Sequence, residues 1–130
     1  MKSLIHHYYD TFNSGDREAL LALLDDGVVH EINEGGVETG KDAFRAFLAR
    51  MDRCYQETVE DLAVFTSHDP ARAAAEFFIR GKYLVTDEGL PEATGQTYHL
   101  RVGAFFEIID GKISRVTNHY NLQSWLKMVG

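Results

Sequence analysis

The stretch from residue 56 to residue 121 is almost entirely extended chain, and nothing else in the sequence limits the fold so much. Four segments, "ETVEDLAVFTS", "ARAAAEFFIRGKYLVT", "TYHLRVGAFFEII" and "KISRVTNHYN", alternate in polarity or carry β-branched and aromatic residues. Short breakers, "HDP", "DEGLPEATG" and "DG", separate them. Long strands joined by short connections form an antiparallel meander, and such a sheet must cover its apolar face with something.

The cover lies upstream. Leu4, Ile5, Tyr8, Tyr9 and Phe12 recur at offsets of three and four, so residues 3 to 13 predict an amphipathic helix, which "NSGD" ends. Asp16 suits the N-cap of a second helix, "REALLALL", closed by "DDG". "VVHEIN" reads as a strand, and "EGGVETG" as a tight turn with a short return strand. Thr39 and Asp42 resemble a capping box for a third helix carrying Phe44, Phe47, Leu48, Met51 and Tyr55 on one stripe. At the end, "LQSWLKMVG" offers a short apolar face of Leu122, Trp125, Leu126 and Val129 that could close an opening. Helices followed by a curling sheet make an α+β fold, a cone-shaped curved antiparallel sheet wrapped around N-terminal helices. A single domain over residues 1–130 is expected, with a ligand-sized hollow on the concave side.

Composition removes several classes of function. A net charge of −7, with acidic residues spread along the chain, gives no phosphate-tracking surface, so no nucleic-acid partner is expected. No apolar run approaches a membrane span, and the start "MKSLIHHYYD" lacks the apolar core of a signal peptide; no membrane partner and a cytoplasmic location are expected. The single cysteine, Cys54, reads as packing. His6 and His7 do not share a helix face, and "EGG" and "DEG" lack the strand and helix of a phosphate cradle, so no metal and no cofactor are expected.

The order helix, "GD", helix, "DD", short strand, "TGKDAFRAFLARM" and "GAFFEIIDGKISRVTNHYNL" resembles the NTF2-like (cystatin-like cone) superfamily over nearly the whole chain. It is most similar to the ketosteroid isomerase and SnoaL-type polyketide cyclase branches. That resemblance implies acid/base isomerisation, cyclisation or dehydration of a hydrophobic carbonyl compound in the cone. It also implies a homodimer through the convex sheet face. Carried over position by position, the oxyanion-donating tyrosine of the isomerases falls on Tyr8, their general base on Ile32 and their second oxyanion donor on Ala104. The acid/base residue of the cyclases falls on Asn118, which hydrogen-bonds but does not titrate near neutrality. The family's acids are thus replaced at three positions, and a non-catalytic ligand carrier is the competing function. A third reading, a protein-interaction module, would need an exposed apolar patch away from the dimer face, and the sequence gives no sign of one.

Strand alternation suggests what replaces them. If Asn118 faces the hollow, Val116 and Tyr120 do too, while Arg115, Thr117 and His119 face outward. In the first strand the same parity sends His30 inward with Val28 and Ile32, making His30 the leading base. A core histidine bonded to a backbone carbonyl is the alternative, and a slip of one residue would exchange His30 and Ile32 for Glu31 and Asn33. Tyr8 is read either as an oxyanion donor or as packing. Tyr120, Ile32, Tyr98, Tyr83, Ala104 and Trp125 are expected to line the ligand site. On the other face, Phe78, Arg80, Arg101, Phe105 and His119 suit the core and rim of a dimer interface.

Overall fold

The structure, a computed structural model, describes residues 3–32 and 35–130. Its elements run α1 (Leu4–Ser14), α2 (Arg17–Leu21), β1 (Leu24–Glu31), β2 (Val37–Thr39), α3 (Lys41–Cys54), β3 (Tyr55–Thr66), β4 (Arg72–Tyr83), β5 (Thr97–Ile109), β6 (Lys112–Tyr120) and α4 (Leu122–Val129). The strands form one six-stranded sheet in the order β2-β1-β6-β5-β4-β3. It is the expected α+β architecture of helices against a curved sheet.

Local chemistry sets the helix ends. Ser3 accepts the His6 amide at the start of α1, and Gly15, at φ 83°, turns the chain out of it. Asp16 caps α2 by accepting the Ala19 amide at 3.0 Å. Three boundaries differ from the sequence reading. The "DDG" segment lies inside β1, where a register shift between Leu24 and Val29 absorbs Asp25 to Gly27. The N-cap of α3 is Gly40 with no side-chain cap, because Thr39 is committed to β2 and no capping box forms. Tyr55 starts β3 instead of ending α3; its ring is buried in either geometry, so helical spacing alone does not separate the two.

The meander is antiparallel from β3 through β6, with a hairpin at Asp110 and Gly111, both left-handed. Against the all-antiparallel expectation, β1 joins β6 in parallel, His30 beside Val116. Register shifts between Glu60 and Ala63 and between Glu107 and Ile108 bend the outer strands, as bulges do. On the outermost strand, Asn13 of α1 donates to the Val59 carbonyl at 3.0 Å and accepts the Val59 amide at 2.8 Å. This pair of bonds docks α1 onto β3. Leu20, Leu24, Val28, Phe106, Ile113 and Val116 are each at most 1% exposed and form the base of the cone.

Candidate functional site

The concave sheet, α1, α3 and α4 enclose a cavity of ≈ 540 Å³. That volume suits a small organic ligand. Aromatic side chains, Phe12, Phe47, Phe77 and Trp125 among them, form part of its wall, and His30, Asn118, Glu57 and the charged side chains of Arg17, Arg50, Asp52 and Asp87 are set between them.

His30 is the most enclosed of these. It is 2% exposed, held with both Phe44 and Phe47 at ring-centre distances of 4.6 Å. Its Nδ1 lies 4.0 Å from Glu38 Oε1, directly across the β1–β2 pair, and both atoms are buried without a hydrogen bond. The backbone-carbonyl bond of an ordinary core histidine is therefore absent at Nδ1, and no described residue bonds Nε2, the nitrogen left for the cavity. Burial pulls the pKa down to about 4, so the ring is neutral at neutral pH. Glu31 points to the opposite face, accepting from the Thr117 hydroxyl at 2.5 Å beside Arg115. The register thus sends His30 inward; Asn33 lies outside the described residues.

Tyr8 and Asn118 reach the same space. The Tyr8 ring packs edge-on against Tyr9 and Phe106, yet its hydroxyl has no partner among the described residues. Burial raises its pKa, outweighing the nearby Arg17, so it stays a neutral donor. The half-buried Asn118 amide is likewise free of described partners. Ile32, Tyr98, Tyr120 and Trp125 line the cavity. Tyr83 and Ala104 do not. Ala104, fully buried between Ala75 and Asn118 in the sheet, is a methyl covered by core. Tyr83 is buried against Tyr55, and its hydroxyl donates to the Pro91 carbonyl and accepts the Asp87 amide, fastening the loop after β4.

Sequence reasoning missed an acidic side chain. Glu57 of β3 lines the cavity and accepts the Tyr98 hydroxyl at 2.6 Å. Burial raises its pKa, against the opposing pull of Tyr98 and Arg17. The bond is possible because Gly81 lies between the two strands: Tyr98, Gly81 and Glu57 are consecutive register partners across β5, β4 and β3. With no side chain at Gly81, the tyrosine ring lies flat over the strand. Two signals were available, namely a glycine inside a strand and the alternation that puts Glu57 on the face of Tyr55 and Val59.

The cations on the wall are already matched. Arg17 makes a bidentate pair with Asp52 at 2.9 and 2.7 Å, and Arg50 lies 3.8 Å from Asp87, which also accepts from Tyr55. Among the described residues the cavity therefore offers no unpaired positive charge to an anionic ligand. No three described His, Cys, Asp or Glu side chains could jointly hold a metal ion. No described helix is long and apolar enough to cross a membrane. On the convex face, Phe78 stacks on His99 with Arg101 over its ring, Arg80 pairs with Glu60, and Phe105 is 47% exposed beside His119.

Known proteins give this geometry a context. A candidate polyketide cyclase from Pseudomonas putida KT2440 shares 53% identity at a TM-score of 0.96, covering 98% of this chain and 96% of its own. A second, from Silicibacter sp. TM1040, shares 49% identity at a TM-score of 0.96, covering 98% and 93%. An NTF2-like protein from Burkholderia xenovorans LB400, 14% identical at a TM-score of 0.76 over 98% and 93% of the two chains, shares the fold. No curated protein matched. The SnoaL-like domain matches residues 5–116, and this chain therefore belongs to the SnoaL-like family, within the NTF2-like fold.

Proposed function

We propose that the protein is a cofactor-independent acid/base enzyme that enolises a neutral, hydrophobic carbonyl compound inside the cone. The observation that carries this reading is the neutral imidazole of His30 on the cavity wall, with no hydrogen-bond partner on either ring nitrogen among the described residues. A base this weak removes a proton from carbon only if the resulting enolate is stabilised. Tyr8 and Asn118 supply donors for that charge, and a donor aimed in advance at a developing oxyanion is worth about 10²–10³ in rate. The matched arginines favour a neutral substrate. The candidate cyclases at 53% and 49% identity support the same class of chemistry.

In the working unit two copies pack through the convex face around Phe78, Arg80, Arg101, Phe105 and His119. Support comes from Phe105, a large apolar side chain left 47% exposed among charged neighbours.

The test is exchange of ketone α-protons in D₂O, followed by NMR with a panel of aryl ketones. Wild type should catalyse exchange, His30→Phe should abolish it, and Tyr8→Phe and Asn118→Ala should each slow it by about 100-fold. Equal exchange in all three variants eliminates the assignment. A ketone that binds and never exchanges would favour the carrier function.

A further inference from the structure

His30 Nδ1 and Glu38 Oε1 are the only fully buried side-chain polar atoms among the described residues that lack a hydrogen-bond partner, and they face each other at 4.0 Å. Folded proteins leave few such atoms unmatched, because each gives up its hydration and receives nothing in return. Here the two orphans are complementary: a carboxylate oxygen only accepts, and a neutral imidazole has one nitrogen that donates. Register explains why they meet. His30 and Glu38 are direct partners across β1 and β2, so their side chains share one face of the sheet. Phe44 and Phe47 of α3 pack against the ring and hold its orientation. Resting on the enolisation reading, we infer that Glu38 is the positioning residue for His30: its buried oxygen accepts a hydrogen bond from Nδ1–H, which leaves the Nε2 lone pair to the substrate.

The gap is about 1 Å longer than a hydrogen bond, and catalytic hydrogen bonds are commonly loose in the free enzyme and tighten once substrate is bound. Glu38 is the partner able to close it, with a side chain 42% exposed against 2% for His30. Because only one oxygen is sealed in, the rest of the carboxylate stays in water and does not bear the full cost of burial. Its charge has no other claim. Among the described residues no arginine or lysine pairs with Glu38, and Lys41 at the start of α3 pairs with Asp26 at 3.5 Å. A charge on an edge strand such as β2 also serves to keep foreign strands away, but that role needs a carboxylate in water, not an oxygen buried against an imidazole. Fixing the tautomer matters because the reverse one puts a proton on the nitrogen that has to receive one. When Nε2 takes the α-proton, the C–H electron pair passes to the enolate and the ring becomes a cation, which the Glu38 carboxylate then faces. Return of a proton from Nε2 to carbon restores the starting state.

The experiment pairs ring-nitrogen NMR of histidine-labelled protein at neutral pH with the D₂O exchange assay on an aryl ketone. The His30 signals are those that vanish in His30→Phe. In wild type Nδ1 should carry the proton and Nε2 should be bare. Glu38→Ala removes the acceptor, and Glu38→Gln offers an amide that donates to a bare Nδ1; both should populate the Nε2–H tautomer. In both, kcat for exchange should fall by about 100-fold with KM unchanged, the scale of a base held in the wrong protonation state. A wild-type ring protonated on Nε2 overturns the inference even if neither variant folds. Tautomers unmoved in both variants, or an unchanged kcat, overturn it as well, and the enolisation reading then rests on the His30, Tyr8 and Asn118 variants alone. Wild type that exchanges no ketone overturns the enolisation reading and with it the catalytic purpose of Glu38, whatever the tautomer.

Discussion

Replacing Gly81 with alanine isolates the packing that brings Tyr98 to Glu57. A Cβ at Gly81 would lie 2.5 Å from the Tyr98 hydroxyl oxygen and closer still to two of its ring carbons, where ordinary carbon contacts are about 3.5–4.0 Å. The ring must move by about 1 Å or more to restore that contact. It has little room, because Trp125 packs edge-on against it at 6.0 Å. Overpacking of this kind costs about 1–3 kcal/mol. Displacement also breaks the 2.6 Å bond to Glu57, adding about 1–2 kcal/mol. Urea unfolding should therefore show Gly81→Ala destabilised by about 3 kcal/mol. In a Tyr98→Val background the obstruction is gone, and the same substitution should be neutral or stabilising by about 0.5–1 kcal/mol, since glycine is the poorer strand residue. The coupling, not the single value, is diagnostic. Equal costs in the two backgrounds would refute the proposed stacking of ring on glycine.

Four other outcomes follow from the same contacts. The pKa of His30 is lower in the folded state than the ordinary 6.5, so the unfolded chain binds its proton first and stability falls as pH drops from 6.5 towards 4. Between about pH 7 and pH 5 this should remove about 2 kcal/mol from wild type and not from His30→Phe, as measured by urea midpoints. Asn13→Ala should cost about 2–3 kcal/mol, because both the Val59 amide and carbonyl lose their partner. Tyr98→Phe should raise the pKa of Glu57 further, seen as persistence of its protonated carboxyl band to higher pH, since the tyrosine bond favours the carboxylate. Phe105→Glu should yield a monomer by sedimentation velocity while leaving the cavity groups in place; an unaltered dimer would move the subunit contact elsewhere.

Much of the cone was legible because alternation is a robust signal in long strands. Parity alone put His30, Asn118 and Tyr120 on the inner face and Thr117, Arg115 and His119 on the outer one. It failed where a side chain's own reach decides. Ala104 has the correct parity but is too short, and Tyr83 spends its hydroxyl on a loop. Glu57 escaped because an acid in a polar strand reads as solvated until the glycine beside it reveals the tyrosine lying across. The parallel joint between β1 and β6 is a long-range pairing with no local signature, and the switch from helix to strand at Tyr55 has no Gly or Pro to mark it.

The Asn13 clasp has a further consequence for how the molecule behaves in a crowd. The strand it grips is the last in the sheet, so its outer amides and carbonyls would otherwise be a template on which a foreign strand could add. A carboxamide is a small imitation of a peptide group, and by occupying Val59 it fills one rung of that ladder with the molecule's own helix. Just beyond it, Asp61 at φ 55° twists the rim out of line. An invading chain would have to evict the first helix and then follow a crooked edge, which protects the open side of the cone against fibre growth.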